Sequence, residues 1–97
     1  MANQDFGTKV EELIEELVET EFGYSLVLYN DDYNTFEFVI ESLIELCEHS
    51  LIQAEQCTML IHYKGKCSVK EGEYKALKPI HEAFLERGIS SKIEKVK

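Results

Sequence analysis

The chain has 97 residues, 44% of them hydrophobic and 30% charged, with a formal net charge of −9. That is one small globular domain with a modest core, and it is too acidic for a nucleic-acid backbone to be its main partner. No apolar run approaches the ~20 residues of a membrane span, and the polar start from Met1 to Gly7 lacks the regions of a secretory signal, so a cytoplasmic protein is expected.

The first periodic segment places Val10, Leu13, Ile14, Leu17 and Val18 on one side and Glu11, Glu12, Glu15, Glu16 and Glu19 on the other, the pattern of an amphipathic helix. Thr8 and Glu11 have the form of a capping box. Gly23 divides this acidic arm, residues 1–23, from a core domain over residues 24–97. Tyr24 to Tyr29 predicts a short strand, broken by Asn30-Asp31-Asp32. Asn34 with Glu37 reads as a capping box for a helix that buries Phe36, Val39, Ile40, Leu43 and Cys47. Ser50 with Gln53 predicts the cap of a helix running to about Tyr63, and Gly65 suits its left-handed C-terminal position.

Lys66 to Lys70 predicts a second strand. Tyr74, Leu77, His81, Phe84 and Leu85 mark a last helix ended by Gly88. Pro79 falls inside that pattern, either as a kink, the reading favoured here, or in the first turn of a helix that starts late. Ile89 to Val96 alternates partly and predicts a final strand. From Tyr24 the order is strand, helix, helix, strand, helix, strand, which predicts an α+β fold with a three-stranded antiparallel sheet and helices packed on one side.

Charge is unevenly distributed. Residues 1–63 hold 14 Asp and Glu against Lys9 alone, giving −13, whereas residues 64–97 hold nine Lys and Arg against five Asp and Glu, giving +4. The pattern predicts one acidic and one basic surface, or plain solvated helix faces. Cys47, Cys57 and Cys67 are an odd number with no close pair, so neither a disulfide framework nor a zinc site is expected. No phosphate loop, Gly-x-Ser-x-Gly or His-Glu-x-x-His motif is present, and no cofactor or metal is implied.

Asn30-Asp31-Asp32-Tyr33 has two readings. Asn and Asp make turns and caps; adjacent carboxylates with an amide oxygen also suit a cation, either a metal or an ammonium, although no further ligands follow at EF-hand spacing. His62 ends the apolar stretch Met59-Leu60-Ile61 and reads either as a packing residue or as part of a site. With Cys67 five residues on, a small thiol hydrolase is conceivable, but no triad partner or oxyanion motif accompanies the pair.

Taken together, Val27-Leu28-Tyr29-Asn30-Asp31-Asp32-Tyr33, Phe36-Glu37-Phe38-Val39-Ile40, Ile61-His62-Tyr63-Lys64-Gly65-Lys66 and the terminal Ile93-Glu94-Lys95 resemble the bacterial ClpS adaptor family over roughly Tyr24 to Lys97. The resemblance implies three antiparallel strands packed with three helices, like the C-terminal domain of a ribosomal stalk protein. It implies no catalysis. It implies an adaptor that captures substrates by a free N-terminal Phe, Leu, Trp or Tyr and delivers them to a Clp unfoldase of the ClpA type for degradation by ClpP. A structural relative that binds the unfoldase but no such substrate is the alternative within that family.

By the same resemblance, Asn30, Asp31 and His62 receive the substrate amine. Phe36, Val39, Thr58, Ile61 and Ile89 form the apolar pocket. Glu73 and Lys78 face the unfoldase. The chain departs from the family where Asn34-Thr35-Phe36 replaces Thr-Pro-Met and where Thr58 stands for the usual Met. Thr58 is expected to make its wall roomier and more polar.

Overall fold

The computed structural model describes residues 23–96; the helix expected over residues 8–22 lies outside them. In chain order the elements are β1 (Tyr24–Tyr29), α1 (Phe36–Cys47), α2 (Leu51–Lys64), β2 (Lys66–Gly72), α3 (Tyr74–Glu86) and β3 (Ser91–Lys95). The strands form one sheet in the order β2-β1-β3, with β1 antiparallel to both neighbours. The α+β architecture expected from the sequence is the one observed.

β1 spans the whole apolar run, because Gly23 precedes it with φ 73 and Asn30 leaves the ladder at the other end. Side chains alternate across a strand. Leu26 and Leu28 face one side and are fully buried there with Leu43 and Cys47 of α1, Ala54 and Ile61 of α2, Val69 of β2, and Leu77 and Phe84 of α3. All three helices therefore share that face of the sheet. Full burial of each such Leu or Phe contributes roughly 1.5–3 kcal/mol. On the other face the Tyr29 hydroxyl donates to Glu94, and the Lys66 and Lys92 ammoniums lie 6.0 and 5.7 Å from the Tyr29 ring centre.

Between Leu26 and Val27 the register with β2 slips from Lys70 to Ser68, leaving Val69 as an extra residue. Such a bulge re-aims the chain locally, and Val69 turns into the core. Its carbonyl accepts from His49 Nε2 at 2.7 Å, so the edge strand is tied to the turn between α1 and α2.

Several termini differ from expectation. α1 is capped by Thr35, whose hydroxyl accepts from the Phe38 amide at 3.1 Å; Asn34, the expected cap, is engaged elsewhere. Ser50 caps α2 as expected, accepting from the Gln53 amide at 3.1 Å, and Gly65 closes that helix at φ 91. α3 starts at Tyr74, well ahead of Pro79, and runs through it, which rules out the late start. β3 starts at Ser91 rather than Ile89, because Ile89 is still bonded through its amide to Phe84 O, 2.9 Å, as α3 unwinds. Arg87 at the end of α3 reaches back to α1, donating to the buried Ser42 hydroxyl at 3.0 Å and pairing with Glu45 at 2.7 Å.

Candidate functional site

Three chain reversals meet at one end of the sheet: the loop from β1 to α1, the last turns of α2, and the loop from α3 to β3. They border an open pocket lined by Asn30, Asp31, Asn34, Phe36, Val39, Thr58, Ile61, His62 and Ile89, together with Leu28 and Tyr29.

The polar side comes from the β1–α1 loop. The Asn30 amide donates to Gly65 O at 2.9 Å, which fixes the start of the loop against the end of α2. Asp31 Oδ1 accepts from the amides of Tyr33 and Asn34, both at 3.0 Å, and Oδ2 accepts from Asn34 Nδ2 at 2.9 Å. Burial by itself would push this carboxyl up. The amide of Asn34, then that of Tyr33, the Asn34 side chain and the Ser90 amide outweigh it and hold the group below the ordinary carboxylate range. Asp31 is therefore ionised, and its carboxylate borders the pocket. The turn reading and the cation reading of Asn30-Asp31 are thus compatible: the same carboxylate that shapes the loop borders the pocket.

His62 lies opposite, on the last turn of α2. Its ring meets Phe36 edge-on, 5.2 Å between centres, and Tyr63 in the same manner at 5.1 Å. Phe36 opens α1 and is 40% exposed, forming the outer lip. The deeper wall is formed by Thr58, Ile61 and Ile89, exposed by only 3, 6 and 2%, with Val39 beside them. The Thr58 hydroxyl donates to Ala54 O at 2.8 Å. Its proton is committed to its own helix, and only acceptor capacity remains. The wall is accordingly less polar than the residue type suggests.

The arrangement offers acceptors on one side and apolar carbon on the other, the pattern that accommodates a cationic head on an apolar body. All eight residues assigned by resemblance to the amine and the side chain line this one pocket. Leu28, Tyr29 and Asn34 line it as well and were missed. The first two end the predicted strand immediately before Asn30, an adjacency visible in the sequence; the place of Asn34 depends on a partner far along the chain. Glu73 and Lys78 are elsewhere. Glu73 caps α3 through its backbone, its carbonyl accepting from the amides of Ala76 and Leu77 at 3.0 Å, and Lys78 is exposed on that helix.

Cys67 is not among the lining residues. Burial, and then the neighbouring Cys57 thiol, push its thiol up to about 12, and it donates to Ser68 O at 3.4 Å. A thiol held protonated is a poor nucleophile, so the geometry works against pairing Cys67 with His62. Among the described residues no helix is long and apolar enough to cross a membrane.

Comparison with known proteins gives a consistent answer. The family model described as ATP-dependent Clp protease adaptor protein ClpS matches residues 19–87. The ATP-dependent Clp protease adapter protein ClpS of Sodalis glossinidius is 33% identical over 73 residues, which cover 73% of this chain and 69% of that protein. Its counterpart in Salmonella paratyphi B is 34% identical over 71 residues, covering 71% and 67%. Among solved structures, Agrobacterium tumefaciens ClpS2 bound to L-phenylalaninamide superposes with a TM-score of 0.66 at 25% identity, over 76% of this chain and 96% of that one. With the strand and helix order, the sheet topology and the matched segment all in agreement, the chain belongs to the ClpS family of Clp protease adaptor proteins.

Proposed function

We propose that this adaptor captures proteins by a free N-terminal residue with a bulky apolar side chain (Phe, Leu, Tyr or Trp) and delivers them to a Clp ATPase of the ClpA type working with ClpP. The observation that carries the reading is the convergence of Asn30, Asp31 and His62 with an apolar wall in one pocket. The ligand held by the Agrobacterium protein, L-phenylalaninamide, is a free α-amine next to an aromatic side chain.

An α-ammonium has three protons to donate, and leaving them without partners on burial would be costly. In this reading the Asp31 carboxylate and the Asn30 side-chain oxygen take two of them, and a ring nitrogen of His62 takes the third. Ionised Asp31 supplies the opposite charge. The first side chain then enters between Phe36 and Val39 on α1 and Thr58 and Ile61 on α2, with Ile89 at the back. An internal peptide bond has no ammonium, so only chain ends are read. Glu73 and Lys78 are assigned to unfoldase docking.

The decisive measurement is a titration with two peptides that begin with Phe and differ only in acetylation of the first amine. The free amine is expected to bind at least about 30-fold more tightly, the lower figure for removing one partner of a buried charged hydrogen bond. Equal affinities would overturn the reading and leave an adaptor that recruits its cargo by other means.

A further inference from the structure

We infer that Asn34 is a positioning residue that joins the amine end of the pocket to its apolar wall, and thereby sets which first residue is preferred. The inference rests on the reading of the pocket as a receptor for free N-termini. Asn34 does not cap α1, since Thr35 performs that role, and its side-chain amide is directed elsewhere. Nδ2 donates to Asp31 Oδ2 at 2.9 Å and to Gly88 O at 3.0 Å. Both partners are pure acceptors, so the nitrogen, not the oxygen, must face them, and its two protons are matched one to one.

The two acceptors belong to the two halves of the pocket. On one side is the carboxylate that borders the amine position. On the other is the carbonyl immediately before Ile89, the most buried residue of the side-chain wall. The wall loop is held at other points too: Ile89 bonds back to Phe84 O, Ser90 O accepts the Tyr29 amide at 2.9 Å, and the Ser90 amide approaches Asp31. Against that backbone, the Asn34 bridge and the Ser90 amide together fix how far the Asp31 carboxylate stands from the Ile89 side chain. That separation is the length a first residue must match from its amine to the tip of its side chain. A bound Phe and a bound Leu differ in that length, so a change at Asn34 alters their relative affinity and not only their common affinity.

Three variants separate this from a structural role. Asn34→Ala removes both donors, Asn34→Thr restores one, and Asn34→Asp puts a carboxylate against two acceptors. Peptides beginning with Phe and with Leu, each with a free or acetylated amine, are titrated against the wild type and the variants, with thermal melts alongside. Asn34→Ala is expected to weaken free-amine binding about tenfold, the scale of one hydrogen bond to a charged group, and to change the Phe-to-Leu affinity ratio severalfold. Asn34→Thr should recover part of both effects, and Asn34→Asp should be the weakest binder. Binding by Asn34→Ala within about twofold of wild type overturns the inference. So does a loss equal for Phe and Leu that follows a fall in melting temperature. If the wild type itself ignores acetylation, the functional reading fails first and this inference with it; if it discriminates and Asn34→Ala behaves as wild type, this inference fails alone.

Discussion

Replacing Asp31 with Asn exchanges one oxygen for a nitrogen and leaves the shape of the side chain almost unaltered. The new amide oxygen can stay beneath the Tyr33 and Asn34 amides, 3.0 Å away in the parent. Its NH2 group must then occupy the position of Oδ2, facing Asn34 Nδ2 at the former 2.9 Å, donor against donor. Loss of that one bond costs the fold about 1 kcal/mol, a fall of roughly 4–8 °C for a domain of this size. The effect on binding is larger, because the proposed ammonium loses its counter-charge. Asp31 is only partly buried, so the low end of the usual 2–5 kcal/mol applies, about 2 kcal/mol or 30-fold in Kd. The folded carboxyl lies below its ordinary range, so its stabilisation is complete above the unfolded value of about 4 and is lost as pH falls through the folded value. The gap in melting temperature between wild type and Asp31→Asn should therefore be constant near neutrality and close in acid. Calorimetric titration with a Phe-first peptide and melts across the acid range test both halves. Unchanged affinity with a lowered melting temperature would show that the carboxylate only shapes its loop, and a gap that persists in strong acid would refute the role of its charge.

Phe36→Met with Thr58→Met should reorder the affinities of Phe-, Tyr-, Trp- and Leu-first peptides by roughly 1–3 kcal/mol, the scale of small misfits in an apolar pocket; an untouched ranking would remove these positions from the wall. Gly65→Ala introduces a Cβ into open space, so its cost is purely that of φ 91, about 1–2 kcal/mol, and a melt unchanged within a degree would refute that account. Phe84→Ala empties the largest fully buried side chain in the core and should cost 3–5 kcal/mol, seen as a lowered denaturation midpoint at unchanged slope.

Elements set by local chemistry were legible in the sequence. β1 matches its apolar run residue for residue, Ser50 caps α2, and Gly65 takes the left-handed backbone that its place after Lys64 suggested. The Asn34–Glu37 spacing points to Asn34 as the cap, whereas the adjacent Thr35 is the residue that caps α1. The choice is made by Gly88, 54 residues away, which occupies the Asn34 amide and leaves capping to Thr35. The bulge at Val69 was likewise invisible, because it depends on His49 satisfying a carbonyl of the edge strand. The pocket residues were named from family motifs, whereas their meeting at one end of the sheet follows from the antiparallel order β2-β1-β3. Thr58 shows the limit of residue type: its hydroxyl is polar in sequence and engaged with Ala54 in the fold.

β1 has two ends with different neighbourhoods. Tyr29 leads into Asn30 and the pocket, while Tyr24 is paired with Gly72, directly before Glu73, and follows Gly23. Five steps at about 3.4 Å put these ends some 17 Å apart, about two screening lengths at physiological salt. A charge anchored beside Gly23 or Glu73 is thus electrostatically insulated from a cation seated against Asp31. In the proposed function, cargo would sit at the Asp31 end and the unfoldase at the Glu73 end, so the charge of one would be largely screened from the other.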